Sequence, residues 1–200
     1  MIVVYMRYGG FDSDVESVLL LIDIYPIMRV CGLDISSSAV GWCVLDCNGT
    51  NMVLIDCGFI KPSKVGSIFD RLESVEKQVG TILDKYRPDQ VGIEDIAKFF
   101  PGKSSATTII TLALFNRTIG LSAHKKGYVV KLHNVMAIRH GIKLTKELPK
   151  KEAIPELVAG ILGIKFPYKL NKKSLPVKEN NDTADAIAVA IYHWKKEIKP

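Results

Sequence analysis

Two patterns of apolar positions divide the chain, short apolar runs before residue 64 and mostly longer runs with helical spacing after it. Arg29–Asp34 is a short apolar run that ends in an acid and reads as a strand. The polar turn Ser36–Ser38 follows, and Ala39–Asp46 and Met52–Ile60 are two further strands. Asn48-Gly49 between them is a hairpin turn signal, so three antiparallel strands open the domain. Val65–Tyr86 carries Ile68, Leu72, Val75, Val79, Ile82 and Leu83 on one helical face and stops at Arg87-Pro88. Gln90–Glu94 is a fourth strand, again ending in an acid, and Phe99–Lys103 is a loop. Ser104–His124 is a long helix, Tyr128–Leu132 a fifth strand and Val135–His140 a short helix. Lys143–Lys151 is a basic loop, Glu152–Leu162 a helix, Leu170–Lys178 a basic loop and Asp182–Lys196 the last helix. The order β-β-β-α-β-α-β-α-α-α predicts an α/β fold, a five-stranded mixed sheet with helices on both faces.

Residues 1–27 stand outside that argument. Val18–Ile22 is apolar but short, follows three acids and lacks a basic flank, which makes it a poor signal peptide. The stretch is either an extension that packs on the domain or a segment upstream of a natural start at Met28. The expected division is therefore an N-terminal extension, 1–27, and one domain, 28–200.

Composition narrows the class. At 200 residues with 48% apolar side chains, the chain can bury one substantial core. The net charge of +6 is uneven: −3 over residues 1–27, zero over 28–124 and +9 over 125–200. A basic C-terminal third suits a polyanionic partner, although a lysine-rich solvated surface would look the same. The four cysteines, Cys31, Cys43, Cys47 and Cys57, match no zinc-site or C-x-x-C spacing and read as reduced thiols of a cytoplasmic protein. No apolar run is long enough to cross a bilayer.

The chemistry lies in four acids. Asp182 and Asp185 are three residues apart at the start of a helix of Ala, Ile and Val, so both carboxylates share one face. If the first and fourth strands lie side by side and parallel, Asp34 and Glu94 emerge at the same sheet edge, where open α/β sheets place their sites. Each acid has a bland alternative: Asp34 capping the serine turn, Glu94 and Asp95 as solvated strand-end charges, Asp182 and Asp185 favouring the helix dipole. Together they form an ordered set. Four converging carboxylates need cations, and two divalent ions about 3.5–4 Å apart would satisfy them and suit in-line attack of water on a phosphodiester.

The local wording of these segments resembles the RuvC-type Holliday-junction resolvases of the RNase H-like superfamily. The resemblance rests on Gly32-Leu33-Asp34-Ile35-Ser36-Ser37-Ser38-Ala39-Val40-Gly41-Trp42, on Val91-Gly92-Ile93-Glu94 and on Asp182-Thr183-Ala184-Asp185-Ala186-Ile187-Ala188, and it spans Met28 to about Trp194. It implies an RNase H-like fold and a metal-dependent endonuclease that resolves four-way junctions by paired symmetric nicks. Asp34, Glu94, Asp182 and Asp185 would then hold two Mg²⁺ ions, with Mn²⁺ able to substitute. Lys151, in Pro149-Lys150-Lys151-Glu152-Ala153, matches a basic residue that contacts phosphate near the cut, and Arg139 is a second. Bacterial members usually have Pro-Gly after the first Asp, where this chain has Ile35-Ser36. Many carry an aromatic three residues after the catalytic Glu, where this chain has Ala97 followed by Phe99 and Phe100. These departures point to a viral or phage branch.

The implied partners are branched DNA and a second copy of the chain. A C₂ dimer supplies two equal sites for two symmetry-related strands, and Ser104–His124 has the apolar positions for an interface. The basic stretch from Lys143 to Lys178 would track phosphates. Phe99, Phe100, Lys103, Arg139, Lys143, Lys146, Lys150 and Lys151 are the candidate DNA contacts. Competing classes are an RNase H or flap nuclease, a non-catalytic DNA-binding module, and an actin-like kinase or ATPase. The last normally needs two such domains and a second phosphate loop.

Overall fold

The computed structural model describes residues 2–6, 18–22, 26–63, 65–96 and 105–198, with side chains from residue 26 onward. Strands β1 (Ile2–Met6) and β2 (Val18–Ile22) pair antiparallel as a sheet of their own, which the sequence reading did not foresee.

The domain opens with β3 (Met28–Ile35), β4 (Val40–Asn48) and β5 (Asn51–Ile60), an antiparallel meander. Gly49 turns the β4–β5 hairpin with a φ of 55°. Helix α1 (Ile68–Tyr86) leads to β6 (Gln90–Glu94), α2 (Ala106–Lys125) to β7 (Val129–His133), and α3 (Val135–Ile142) follows. A 3₁₀ turn at Lys151–Ala153 runs into α4 (Ile154–Leu162), and α5 (Asn180–His193) ends in a π turn at Trp194–Ile198. The main sheet has the order β5-β4-β3-β6-β7, with β6 and β7 parallel to β3. The expected five-stranded mixed sheet is therefore present.

Period-two alternation divides the side chains of β3 between two separate cores. Cys31, Leu33, Val91 and Ile93 join α1 and α2 residues such as Leu72, Val75, Phe115 and Ile119. Val30, Leu45 and Cys47 join Ile138 of α3, Ile154 and Val158 of α4, and Ile187 and Ile191 of α5. Each large aliphatic side chain buried in this way contributes roughly 1.5–3 kcal/mol. Helices thus cover both faces, as expected.

Local chemistry moves several boundaries. Helix α1 starts at Ile68 rather than Val65 because Ser67 and Asp70 form a reciprocal capping box. Ser105 caps α2 through the Thr108 amide, so that helix begins at Ala106. The segment expected to be loop at 170–178 contains a hairpin, closed by a bridge between Leu170 and Pro176.

Helix α5 is the keystone of the layer that matters for the site. Thr183, Ala184, Ala186, Ala188 and Ala190 are buried, and their small side chains let the helix axis approach the sheet. Gly32 and Gly41 make that approach possible. A Cβ on Gly32 would lie 2.2 Å from the Ala186 carbonyl oxygen, and one on Gly41 would lie 1.9 Å from the Asp182 carbonyl oxygen. The far end of α5 is fastened by buried polar groups. His193 Nδ1 and His133 Nε2 are 2.8 Å apart, and His193 Nε2 is 3.0 Å from Gln90 Oε1. Burial pushes the His193 pKa down to about 4, so the pair is neutral and shares its ring protons at neutral pH.

Candidate active site

The strand register sets the first half of the site. Gly32 pairs with Gly92 and Leu33 with Ile93, so the next residues, Asp34 and Glu94, end adjacent parallel strands side by side. Both occupy positions of the face that α5 covers, because Leu33 and Ile93 point into the other core. Asp34 is not needed to cap the serine turn. Ser36 Oγ does so itself, donating to the Ala39 carbonyl at 2.7 Å and accepting from the Ala39 amide at 3.0 Å.

The second half arrives with α5. Asp182 and Asp185 lie in its first two turns, and the Asp182 backbone sits against Gly41, the antiparallel partner of Asp34. All four acids line one cleft of about 230 Å³, together with Ser36, Asp95, Asn116, Arg139 and Lys151. The Lys151 ammonium, carried by the 3₁₀ turn, is 3.5 Å from Asp185 Oδ2.

Electrostatics explain what such a cleft selects. Burial, then repulsion from Glu94, Asp185 and Asp182, raises the Asp34 pKa well above the usual carboxylate range. Burial and Asp185 push Glu94 up to about 7, against the pull of Arg139 and Lys151. Burial also raises Asp182 and Asp185, and Lys151 lowers both. Burial works against the Lys151 ammonium, but Asp185, Asp34 and Asp182 outweigh it and hold its proton more tightly. The acids therefore hold protons or cations more readily than free carboxylates do. Among the described residues, no trio of Asp, Glu, His or Cys is already closed around one metal-sized position. The donor set itself, four carboxylates with few other ligands, suits hard divalent ions such as Mg²⁺ or Mn²⁺.

Two contributors, Asn116 and Arg117, escaped the sequence reading. Asn116 of α2 is 1% exposed and donates from Nδ2 to the Glu94 carbonyl at 2.8 Å, holding the end of β6. Arg117 donates to Asn116 Oδ1 at 2.6 Å and to Asp95 Oδ1 at 2.8 Å. Asp95, read from the sequence as a strand-end charge, is an ion-pair partner at the cleft with its side chain still 37% exposed. The available signal was the polar pair Asn116-Arg117 interrupting an apolar helix.

Other expected residues lie elsewhere. Lys143 and Lys150 line a separate cavity with Leu144, Leu148 and Leu157, beyond the cleft, and Lys146 is exposed on the same loop. Phe99, Phe100 and Lys103 fall outside the described residues.

This sheet order, with acids at the ends of two adjacent parallel strands and on a helix that closes over them, defines the RNase H-like class of α/β domain. The model of the crossover junction endodeoxyribonuclease RuvC family matches residues 30–193, and the chain belongs to that family. The RuvC of Fusobacterium nucleatum subsp. nucleatum is 28% identical over 166 residues, covering 83% of this chain and 80% of that protein. The RuvC of Prochlorococcus marinus subsp. pastoris is 25% identical over 176 residues, covering 85% of this chain and 98% of that protein. Two solved structures share the fold. Thermus thermophilus RuvC in complex with a Holliday junction substrate has a TM-score of 0.64 at 21% identity, with 83% of this chain and 92% of that one covered. The yeast mitochondrial Holliday junction resolvase has a TM-score of 0.59 at 17% identity, with 84% and 78% covered.

Proposed function

We propose that residues 28–200 form a metal-dependent, structure-selective DNA endonuclease that resolves four-way junctions by paired symmetric nicks, in recombination, repair or viral genome processing. The observation that carries this reading is the convergence of Asp34, Glu94, Asp182 and Asp185 on one cleft in a chain of the RuvC family. The related Thermus thermophilus protein was solved with a Holliday junction, which supports the choice of substrate.

Asp34, Glu94, Asp182 and Asp185 would hold two Mg²⁺ ions, with Mn²⁺ as a substitute. When bound, such ions lower the pKa of an attacking water and offset charge on the departing 3′ oxygen. The chain's own groups do the rest. The raised proton affinity of Lys151 keeps it cationic beside the acids, where it meets a non-bridging phosphate oxygen as the strand enters. Arg139, on the same cleft wall, supplies a second cation. Asn116 holds the Glu94 main chain still, so its carboxylate is aimed by the sheet rather than by a mobile strand end. Lys143, Lys146 and Lys150 extend the phosphate-binding surface, and Phe99, Phe100 and Lys103 belong to the loop expected to meet the junction.

A second copy would supply the second cut. Ile110, Leu114 and Leu121 of α2 are 60%, 42% and 53% exposed and recur at helical spacing, which leaves an apolar stripe for a homodimer. Among the described residues, no helix is long and apolar enough to cross a membrane, and the four cysteines are unpaired thiols, which fits a cytoplasmic protein.

The test compares a synthetic four-way junction, a flap, linear duplex and an RNA–DNA hybrid, each with Mg²⁺ and with EDTA. Paired symmetric nicks on the junction, in Mg²⁺ alone, are the expected result. Preferential cutting of the hybrid would assign the site to ribonuclease H chemistry instead.

A further inference from the structure

The +9 charge of residues 125–200 is not spent at the cleft alone. Between α4 and α5 the chain builds a tight hairpin. Asn171 accepts the Ser174 amide on its carbonyl at 3.0 Å, and its side-chain oxygen accepts the Lys173 and Leu175 amides at 2.8 and 3.2 Å. Ser174 takes the left-handed conformation, with φ 58°, to close the turn. Lys172 and Lys173 sit exposed at the tip, and neither has an acidic partner among the described residues.

The hairpin is also clamped. Asn180, 3% exposed at the start of α5, accepts the Lys169 amide at 2.9 Å and donates to the Lys169 carbonyl at 2.9 Å. Its root is therefore held two residues before Asp182. A second fastening points the same way. The Lys169 ammonium lies 4.7 Å from the centre of the Phe59 ring, and Phe59 pairs across the sheet with Gly41, which abuts Asp182. The hairpin thus stands at the β5 edge of the sheet. Arg139 is carried by the helix that leaves β7, the opposite edge.

We infer that the hairpin Lys169–Val177 is a second DNA-contacting element, which grips the phosphate backbone on the Asp182 side of the cleft while Lys151 meets it beside Asp185 and Arg139 meets it on the β7 side. The inference rests on the nuclease reading above. A rigid root makes it more than a charged loop. Ordering a free loop on DNA costs conformational entropy at every residue, and the clamp at Asn180 removes much of that cost beforehand. Phosphate contacts of this kind add affinity and register but no base preference. Gripping both sides fixes which phosphodiester lies over the acids.

The experiment uses full-length protein silenced by Asp34→Asn and measures binding to a four-way junction from 50 to 200 mM salt. The pair Lys172→Glu with Lys173→Glu is compared with Lys77→Glu with Gln78→Glu, exposed positions on the outer face of α1. Each lost phosphate contact lowers the slope of log affinity against log salt by about 0.9. The hairpin pair is expected to bind about tenfold more weakly at 50 mM and to lose about twelvefold less affinity across the salt range. The α1 pair should keep the wild-type slope, and melting temperatures should agree. A wild-type slope in the hairpin pair, or equal losses in both pairs, overturns the inference. Failure of the parent protein to bind junctions at all would instead refute the nuclease reading, so the two failures are distinct.

Discussion

Substituting Gly41 with alanine tests how the fold delivers its acids. The added Cβ would stand 1.9 Å from the Asp182 carbonyl oxygen, whereas such contacts essentially never fall below 3.0 Å. The contact is backbone on backbone, so no side chain can swing aside. The first turn of α5 must retreat from β4 by about 1 Å, and Asp182 and Asp185 go with it. Overpacking of this kind costs about 1–3 kcal/mol, or a melting point lower by roughly 2–12 °C in a domain of this size. The chemical cost is larger, because a 1 Å misplacement is worth about 10²-fold in rate. Arg139 and Lys151 stand on other elements and stay in place, while the hairpin, clamped to Asn180, shifts with the turn as a unit and keeps its charge exposed. The assay is single-turnover nicking of a four-way junction at saturating enzyme, which removes affinity from the rate, with melting followed in parallel. The expected result is a drop of about 10²-fold in nicking with junction affinity held within a few-fold. Nicking at the wild-type rate in Gly41→Ala would show that the α5–β4 contact does not set the positions of the acids.

Three further outcomes follow from the same geometry. Lys151→Ala removes the cation 3.5 Å from Asp185 and should slow nicking by about 10²–10³-fold while moving the melting point by no more than a few degrees; a loss confined to stability would contradict its role. Leu114→Glu places a charge in the exposed stripe of α2, and light scattering should report a monomer that makes single rather than paired nicks. In metal-free buffer, Glu94→Gln should be more stable than wild type by a margin that grows with pH. Glu94 holds its proton to about pH 7 in the folded chain against an ordinary value of 4.5, so the native state carries the extra proton across that window and loses stability as pH rises through it. His193 titrates in the opposite sense in both proteins and cancels in the difference. A stability gap independent of pH between 4.5 and 7 would refute the burial of Glu94 among like charges.

The sheet was legible because its strands are short apolar runs bounded by turn residues, and because the turn at Asn48-Gly49 and the stop at Arg87-Pro88 have local causes. The acid set was legible because strand ends and an i, i+3 pair are local features that topology brings together. What stayed hidden was contact between distant backbones. Gly32 and Gly41 read as ordinary strand glycines until α5 is seen lying against them. Asn116 reads as one polar residue of an apolar helix, and only the placement of α2 shows that it holds Glu94. The hairpin at 169–177 was hidden for another reason. Its order comes from Asn171 and from a clamp at Asn180, side chain to backbone, which leaves no apolar periodicity to detect.

Melting of Asp34→Asn beside the wild type, in EDTA and in Mg²⁺ or Mn²⁺, decides whether the four acids act as one ion-binding set. If the acids crowd together to receive divalent ions, removing one charge relieves burial and repulsion, so the variant melts higher than wild type in EDTA. It should gain less than wild type from added metal, and it should bind junctions without nicking them. An Asp34→Asn protein that melts lower in EDTA, takes up metal like wild type and nicks junctions at the wild-type rate would contradict the account.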